Sequence, residues 1–491
     1  MAKRTTTMAL MLPVREPGVP AHRWLCTALR AEILEGRLRP GARLPATRDL
    51  AGQYGLSRGT IVGAFEQLKA EGYLEGTVGS GTYVNAVLPD ELLQVTLKAG
   101  AARPVRVPKR RDLSEFGERA RPVPPYTFSP PRAFRANQPA LDLFPTALWA
   151  QVAARRLRRA TANLLLGCDP LGYRPLQAAV AEYLRTSRGV KCVPEQIAIV
   201  SGIQEALDLT ARLLLDPGDP VCMEEPGYVG AAAVFEACGA RIVPVRVDAE
   251  GMVPPPAKAA GARLAYVTPS HQFPLGISMS LPRRLALLEW ARNAGALIFE
   301  DDYDGEFRYS GRPVPALQGL DRHGLVLYSG SFSKVLFPSI RLGYLVVPLD
   351  LVDAFAAAKS VTSRHAGVLE QAVLCDFIAE GHFGRHVRRM REVYAERLAV
   401  LQDCARQRLG GLLEISGIDA GLQTAGWLRN GIDGETAAEA AARRGVEVTA
   451  LSRYHRGRVE REGLHLGFAA VDPREIRRGV EELAVALEGV G

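Results

Sequence analysis

Ser331-Phe332-Ser333-Lys334-Val335-Leu336-Phe337-Pro338-Ser339-Ile340-Arg341 lies between two apolar runs, Leu325 to Tyr328 and Tyr344 to Val347. Each run has the length and composition of a buried strand, so the segment between them reads as a loop at a sheet edge. A lysine amine can form a Schiff base with a carbonyl compound, and nearby hydroxyls with a guanidinium can bind a phosphate through charge-assisted hydrogen bonds. The loop therefore has the groups to hold an aldehyde and a phosphate together. Alone it is weak evidence, because a lysine between two serines is most often simply a solvated lysine, and its meaning depends on the rest of the chain.

Outward from this loop, from about residue 135 onward, apolar strand-like runs alternate with amphipathic helical stretches. That alternation predicts an α/β domain with a largely parallel sheet, whose ligands gather at the carboxyl ends of the strands. Polar clusters fall at those ends. Asp301 follows the run Ala296 to Glu300, and a carboxylate there can hold a proton on a ring nitrogen and make the ring an electron sink. Tyr303 is two residues further on, placed to reach a phenolic oxygen. The acidic run Glu300-Asp301-Asp302-Tyr303-Asp304 also has the composition of a metal site, but it has no accompanying histidine and follows an apolar strand. Ser201-Gly202-Ile203-Gln204 stands between the run Ile197 to Val200 and a helix, where free backbone N–H groups and the helix dipole favour a phosphate. Tyr228, in Glu225-Pro226-Gly227-Tyr228, offers either a stacking face or a core ring. His271-Gln272-Phe273-Pro274-Leu275-Gly276 brings an imidazole and an amide to a further strand end.

The first 135 residues hold 21 Lys+Arg and 12 Asp+Glu, a balance of +9, whereas the other 356 hold 40 and 41. All of the excess positive charge is N-terminal, which suits either a polyanion-binding module or a solvated basic tail. Residues 19–87 read as three helices and a glycine-rich hairpin. Trp24, Leu25, Leu29 and Ile33 share one helical face, Leu50, Ala51 and Tyr54 another, and Ile61, Phe65 and Leu68 a third. Gly55 turns the chain and Ser57 is placed to cap the third helix, leaving Arg58, Gly59, Thr60 and Gly63 outward. This is the layout of a winged helix-turn-helix, in which the third helix enters the major groove of double-stranded DNA. Residues 88–134 lose periodicity and gain Pro and Arg, the composition of an extended linker. No run reaches the roughly 18 apolar residues of a membrane span. The short apolar run Met8 to Leu12 superficially resembles a secretion signal but is cut by Pro13 and Arg15. Seven cysteines without CxxC spacing read as reduced thiols in a cytoplasmic protein.

Leu44-Pro45-Ala46-Thr47-Arg48-Asp49-Leu50-Ala51, Leu56-Ser57-Arg58-Gly59-Thr60-Ile61 and Gly79-Ser80-Gly81-Thr82-Tyr83-Val84 together resemble the DNA-binding domain of the GntR regulators. The resemblance implies DNA contacts from Arg48, Ser57, Arg58, Thr60 and Gly79. From about residue 140 the order of phosphate turn, aromatic, ring-oxygen loop, aspartate, lysine and arginine resembles a fold-type I aminotransferase dependent on pyridoxal 5′-phosphate (PLP). That likeness implies Lys334 as the Schiff-base lysine, Asp301 on the pyridine nitrogen and Tyr303 on the phenolic oxygen. It further implies Ser331 and Arg341 on the phosphate with the amides of Gly202, Ile203 and Gln204, Tyr228 stacked on the ring, and Gln272 in the ring-oxygen loop. Two departures stand out. Aminotransferases place Asn directly before Pro-Thr-Gly, where this chain has Phe273. They also carry an arginine for the substrate carboxylate in a late strand, where it reads Leu464-His465-Leu466-Gly467-Phe468, so that Arg453 is the nearest alternative cation.

A GntR-like reader on an aminotransferase-like body resembles the MocR regulators over nearly the whole chain. The likeness implies an α/β protein of three parts: the reader at 19–87, the linker at 88–134 and the PLP-binding body at 135–491. It implies a transcriptional regulator that senses PLP or an amine, assembled as a head-to-tail homodimer; GABA, taurine and PLP itself are effector types in the family. The alternative is a working aminotransferase carrying an accessory DNA-binding domain.

Overall fold

The computed structural model describes residues 10–77, 81–88, 111–120, 130–256, 259–309 and 315–491. The chain divides into two compact units, one ending at Arg111 and the other beginning at Asp112.

In the first unit, helices α1 (Ala21–Leu34), α2 (Thr47–Tyr54) and α3 (Arg58–Ala70) are followed by strands β1 (Leu74–Thr77) and β2 (Gly81–Val84). The strands pair antiparallel from Leu74↔Val84 to Thr77↔Gly81, forming the expected wing. Leu25, Leu29 and Ile33 of α1 meet Leu50 of α2 and Ile61, Phe65 and Leu68 of α3 in one core. Gly55 ends α2 in the left-handed conformation (φ 64°) that a residue without Cβ adopts at least cost. Ser57 then caps α3, its Oγ accepting the Thr60 N–H at 3.1 Å. Two features differ from the reading of periodicity. Gly63 is not outward: a Cβ there would stand 3.3 Å from the His22 ring, so the glycine permits α1 and α3 to approach closely. Leu10, in the run that resembled a secretion signal, is buried in this core, and the Tyr54 hydroxyl donates to its carbonyl.

In the second unit, eight strands form one sheet in the order β3-β10-β9-β8-β7-β4-β5-β6. They are β3 (Ile197–Val200), β4 (Pro220–Glu225), β5 (Arg241–Asp248), β6 (Gly251–Met252), β7 (Leu264–Val267), β8 (Leu297–Asp302), β9 (Val326–Ser331) and β10 (Gly343–Val346). The pairs β9-β8, β8-β7, β7-β4 and β4-β5 are parallel. Strand β10 runs antiparallel to both of its neighbours, with Gly343 opposite both Val200 and Ser331. Strands β3, β7 and β10 are buried at every residue, as expected for a sheet covered on both faces. A smaller antiparallel sheet, β11 (Leu413–Ile415), β12 (Gln423–Leu428), β13 (Thr449–Ala450) and β14 (Gly463–Gly467), is ordered β11-β12-β14-β13.

Part of the segment that composition marks as linker is helical. Ser114 caps a short helix, Glu115–Arg119, through the Gly117 N–H at 3.2 Å. That helix is fastened to the second unit by the Arg119 Nε bond to the Ala237 carbonyl at 3.2 Å, and the Arg212 guanidinium lies 5.0 Å from the Phe116 ring centre.

Candidate functional site

The carboxyl ends of β3, β8 and β9 and the start of β10 bring the expected groups to one cleft. Lys334 stands on a single helical turn, Phe332–Val335, that leaves β9 directly; Ser331 caps it, its Oγ accepting the Ser333 N–H at 3.2 Å. The half-buried Lys334 amine donates to the carbonyl of Asn137 at 2.8 Å. Burial pushes this amine down to about 8, against the opposing pull of Asp304 and Asp301. An amine in that range is unprotonated often enough to act as a nucleophile near neutral pH.

Asp301 is buried at the end of β8 and accepts a hydrogen bond from the Tyr266 hydroxyl at 2.7 Å. Burial is the main cause that raises its carboxyl to about 7, with the Tyr266 bond acting in the opposite sense. A cationic ring nitrogen beside it would restore the ionised form, so this carboxylate suits a protonated heterocycle. Tyr303, next in the cleft, shares a hydrogen bond of 3.1 Å with His271 Nδ1, and the same nitrogen lies 2.9 Å from Asp304 Oδ2. Gln423 Nε2 reaches the Tyr303 oxygen at 3.5 Å.

On the other side of the cleft, Gly202 (φ 129°) begins the helix Ile203–Leu214. The first N–H groups of a helix have no helical acceptor and point along its axis toward an anion site. A Cβ on Gly202 would stand 3.4 Å from both terminal nitrogens of Arg341, so the guanidinium lies directly against the glycine. The Ser333 Oγ is also buried without a hydrogen-bond partner. An anion with several acceptor oxygens would engage these helix amides and Arg341 together. Tyr228 directly precedes the helix Val229–Ala237, and its hydroxyl accepts from Gln204 Nε2 at 2.9 Å.

Two expected residues, Gln272 and Arg453, have other partners here. Gln272 braces its own loop, Nε2 donating to the carbonyls of Pro226 (2.9 Å) and Phe273 (2.7 Å) while Oε1 accepts from the Leu275 N–H (3.1 Å). A ring oxygen would have to displace one of these bonds. Phe273 is the residue of that loop surrounded by aromatic groups, edge-to-face with Tyr228, Tyr303, Tyr454 and His465. Arg453 is turned onto Glu435, its Nε 2.9 Å from both carboxylate oxygens. The adjacent Tyr454 hydroxyl meets His465 Nδ1 at 3.0 Å, and burial depresses that imidazole to about 3, so it is neutral. In the first unit Arg48, Ser57 and Arg58 are exposed and Thr60 is half-buried, while Gly79 lies outside the described residues. Among the described residues no group of His, Cys, Asp and Glu has the arrangement of a metal site, and no helix is long and apolar enough to cross a membrane.

Sequence reasoning did not find Asn137, Tyr266, Ser333 or Gln423. Ser333 had a signal, because it is adjacent to Lys334; the other three come from distant segments.

Comparison with known proteins matches the chain to two families. Residues 133–483 match the family described as aminotransferase class I and II, and residues 25–84 match the bacterial regulatory proteins of the gntR family. A probable rhizopine catabolism regulatory protein MocR of Rhizobium meliloti is 42% identical over 481 residues, spanning 97% of this chain and 96% of that protein. A pyridoxine biosynthesis transcriptional regulator, PdxR, of Corynebacterium glutamicum is 33% identical over 98% of each chain. Among solved structures, an archaeal alanine:glyoxylate aminotransferase superposes with TM-score 0.69 at 28% identity, covering 72% of this chain and 90% of its own. An α-aminoadipate aminotransferase of Thermus thermophilus, complexed with N-(5′-phosphopyridoxyl)-L-leucine, superposes with TM-score 0.66 at 31% identity, covering 73% and 92%.

Proposed function

The chain belongs to the MocR-type regulators, in which a GntR reader precedes an aminotransferase-like body, and from that premise we propose that its body binds PLP and couples the occupancy of the cleft to DNA binding. It is a DNA-binding transcriptional regulator by family. The observation that carries the PLP reading is the meeting of a low-pKa amine, Lys334, with Arg341, Ser333 and the helix amides after Gly202. Few ligands combine an amine-reactive carbonyl with a phosphate.

In this reading Lys334 would hold the cofactor's carbonyl end, and Asp301, oriented by the Tyr266 hydroxyl, would hold a proton on its ring nitrogen. Tyr303 serves the phenolic oxygen, tuned by His271 and Asp304 behind it. Arg341, Ser331, Ser333 and the amides of Gly202, Ile203 and Gln204 would take the phosphate, and Tyr228 would stack on the ring. When bound, PLP supplies an electrophilic carbon to which amines add and a ring that withdraws electrons. An effector changes DNA binding only by the difference between its affinities for the two states of the protein. We infer that this effector is PLP itself or an amine, and that the functional unit is a head-to-tail homodimer on double-stranded DNA.

Purified protein reconstituted with PLP should absorb near the visible edge, and Lys334→Ala should abolish that band. Its persistence would refute the assignment of the lysine. Turnover of an amino donor and a keto acid at roughly 1 per second or faster would favour the enzyme reading.

A further inference from the structure

Behind the phosphate turn lies a buried ion pair that none of the expected cofactor contacts includes. Lys359, near the end of the helix Val352–Thr362, is fully buried, and its Nζ is 2.6 Å from Glu205 Oε1. Ser363 Oγ donates to the same oxygen at 2.7 Å. The other oxygen, Glu205 Oε2, accepts the N–H of Ser201 at 2.5 Å, the residue immediately before Gly202. Glu205 thus holds the backbone of the turn against which Arg341 lies, from the third position of the helix whose N-terminus forms that turn.

A carboxylate in the first turn of a helix is stabilised by the positive end of the dipole. A phosphate would be drawn to that same end. Uncompensated, Glu205 would therefore compete with a phosphate for one electrostatic feature and repel it across about one helical turn. Burial works to raise the Glu205 carboxyl, but the Lys359 ion pair and the Ser201 N–H outweigh it and hold the group below its ordinary range, so Glu205 is charged. Lys359 brings the local charge back to zero. With that cancellation the carboxylate can fix the turn by its hydrogen bond without opposing the ligand.

On the reading of the cleft as a PLP site, we propose that Glu205 and Lys359 are positioning residues for the phosphate subsite, Glu205 holding the Ser201-Gly202 turn and Lys359 neutralising Glu205 so that the subsite accepts a dianion. Neither touches the ligand, and both act on the phosphate half of it alone. Selectivity between PLP and pyridoxal, which lacks the phosphate, is consequently set in part by a pair from two different helices.

The test titrates full-length apoprotein with PLP and with pyridoxal, for the native chain and for Lys359→Met, Glu205→Gln, the double substitution and Lys359→Arg. Lys359→Met should weaken PLP about tenfold or more and pyridoxal far less, because Glu205 is then left charged beside the phosphate. Glu205→Gln should move the PLP-to-pyridoxal preference the opposite way, since Lys359 is then the uncompensated charge. The double substitution should return the preference toward the native value, and Lys359→Arg should retain most of it. If both single substitutions shift the preference in the same direction, or weaken both ligands equally, the pair is merely structural and the proposal fails. Should Lys359→Met not fold, the sign of the Glu205→Gln shift decides. Native protein that binds neither ligand would overturn the PLP reading itself, whereas loss of the opposed shifts in a protein that binds PLP overturns this inference alone.

Discussion

On the function proposed above, Lys334 permits a quantitative prediction about how the protein would take up PLP. Its amine titrates near 8 rather than at the ordinary 10.5 because the floor of the cleft desolvates the charged form. At pH 7.5 an amine of pKa 8 is about one-quarter unprotonated, while one of pKa 10.5 is so for about one molecule in a thousand. The nucleophilic form is therefore roughly 200 times more abundant than on a surface lysine, although a weaker base is intrinsically less reactive per molecule. The rate at which the near-visible absorbance develops after mixing apoprotein with PLP should rise with pH and level off near 8. Asp304 is the strongest of the groups that raise this amine, so Asp304→Asn should move the bend to lower pH. Stopped-flow absorbance across pH 6 to 10 makes the measurement. A rate that climbs without a bend through pH 10, or a bend that Asp304→Asn moves upward, would refute the burial argument.

Arg58→Ala, at the exposed start of α3, should weaken operator binding by about tenfold, the range for one charged DNA contact, and leave the absorption of the cofactor intact; fluorescence anisotropy with labelled duplex reads the first and a spectrum the second. Ser57→Ala removes the acceptor of the Thr60 N–H and should cost the reader about 1 kcal/mol, seen in urea unfolding, with Ser57→Asp recovering most of it. Gly172 adopts φ 126°, and a Cβ there would come within 2.6 Å of Ile199 on β3, so Gly172→Ala should lower the thermal midpoint of the body by several degrees.

The reader was legible because its evidence is local. Leu25, Leu29 and Ile33 repeat at helical spacing, Gly55 supplies a left-handed turn, and Ser57 is one residue from the helix that it caps. Lys334, Asp301 and Gly202 were legible for a related reason: each adjoins a strand-like run, and a strand end is where an α/β sheet exposes its chemistry. Contacts across long stretches of sequence carried no such mark. The Asn137 carbonyl that receives Lys334 is 197 residues away, and Lys359 is 154 residues from Glu205. Tyr266 reaches Asp301 only because β7 and β8 are adjacent and parallel, and the sequence pattern does not specify which strands are neighbours. The helix Glu115–Arg119 was hidden for the opposite reason, since five residues among prolines and cations are too few to show a period.

The antiparallel strand β10 within the largely parallel sheet is what brings the groups of the cleft together. A strand that runs antiparallel to its neighbours begins at the edge where they end. Gly343, the first residue of β10, is opposite Val200, the last of β3, and Ser331, the last of β9. Arg341, two residues before β10, therefore emerges at the same edge as Ser201-Gly202 on one side and Lys334 on the other. Had β10 been parallel, its start would lie at the far edge, four residues or about 13 Å away, and no arginine at this sequence position could meet the helix amides after Gly202. The short span from Lys334 to Arg341 is thus a hairpin requirement: it must reverse the chain while presenting an amine at its start and a guanidinium at its end. Arg341 itself adopts a left-handed backbone conformation (φ 49°), uncommon for a residue with a side chain, just where the chain turns into β10. Ser331, Lys334 and Arg341 reach one edge of the sheet because a single reversal brings a strand end, a strand start and a helix N-terminus together there.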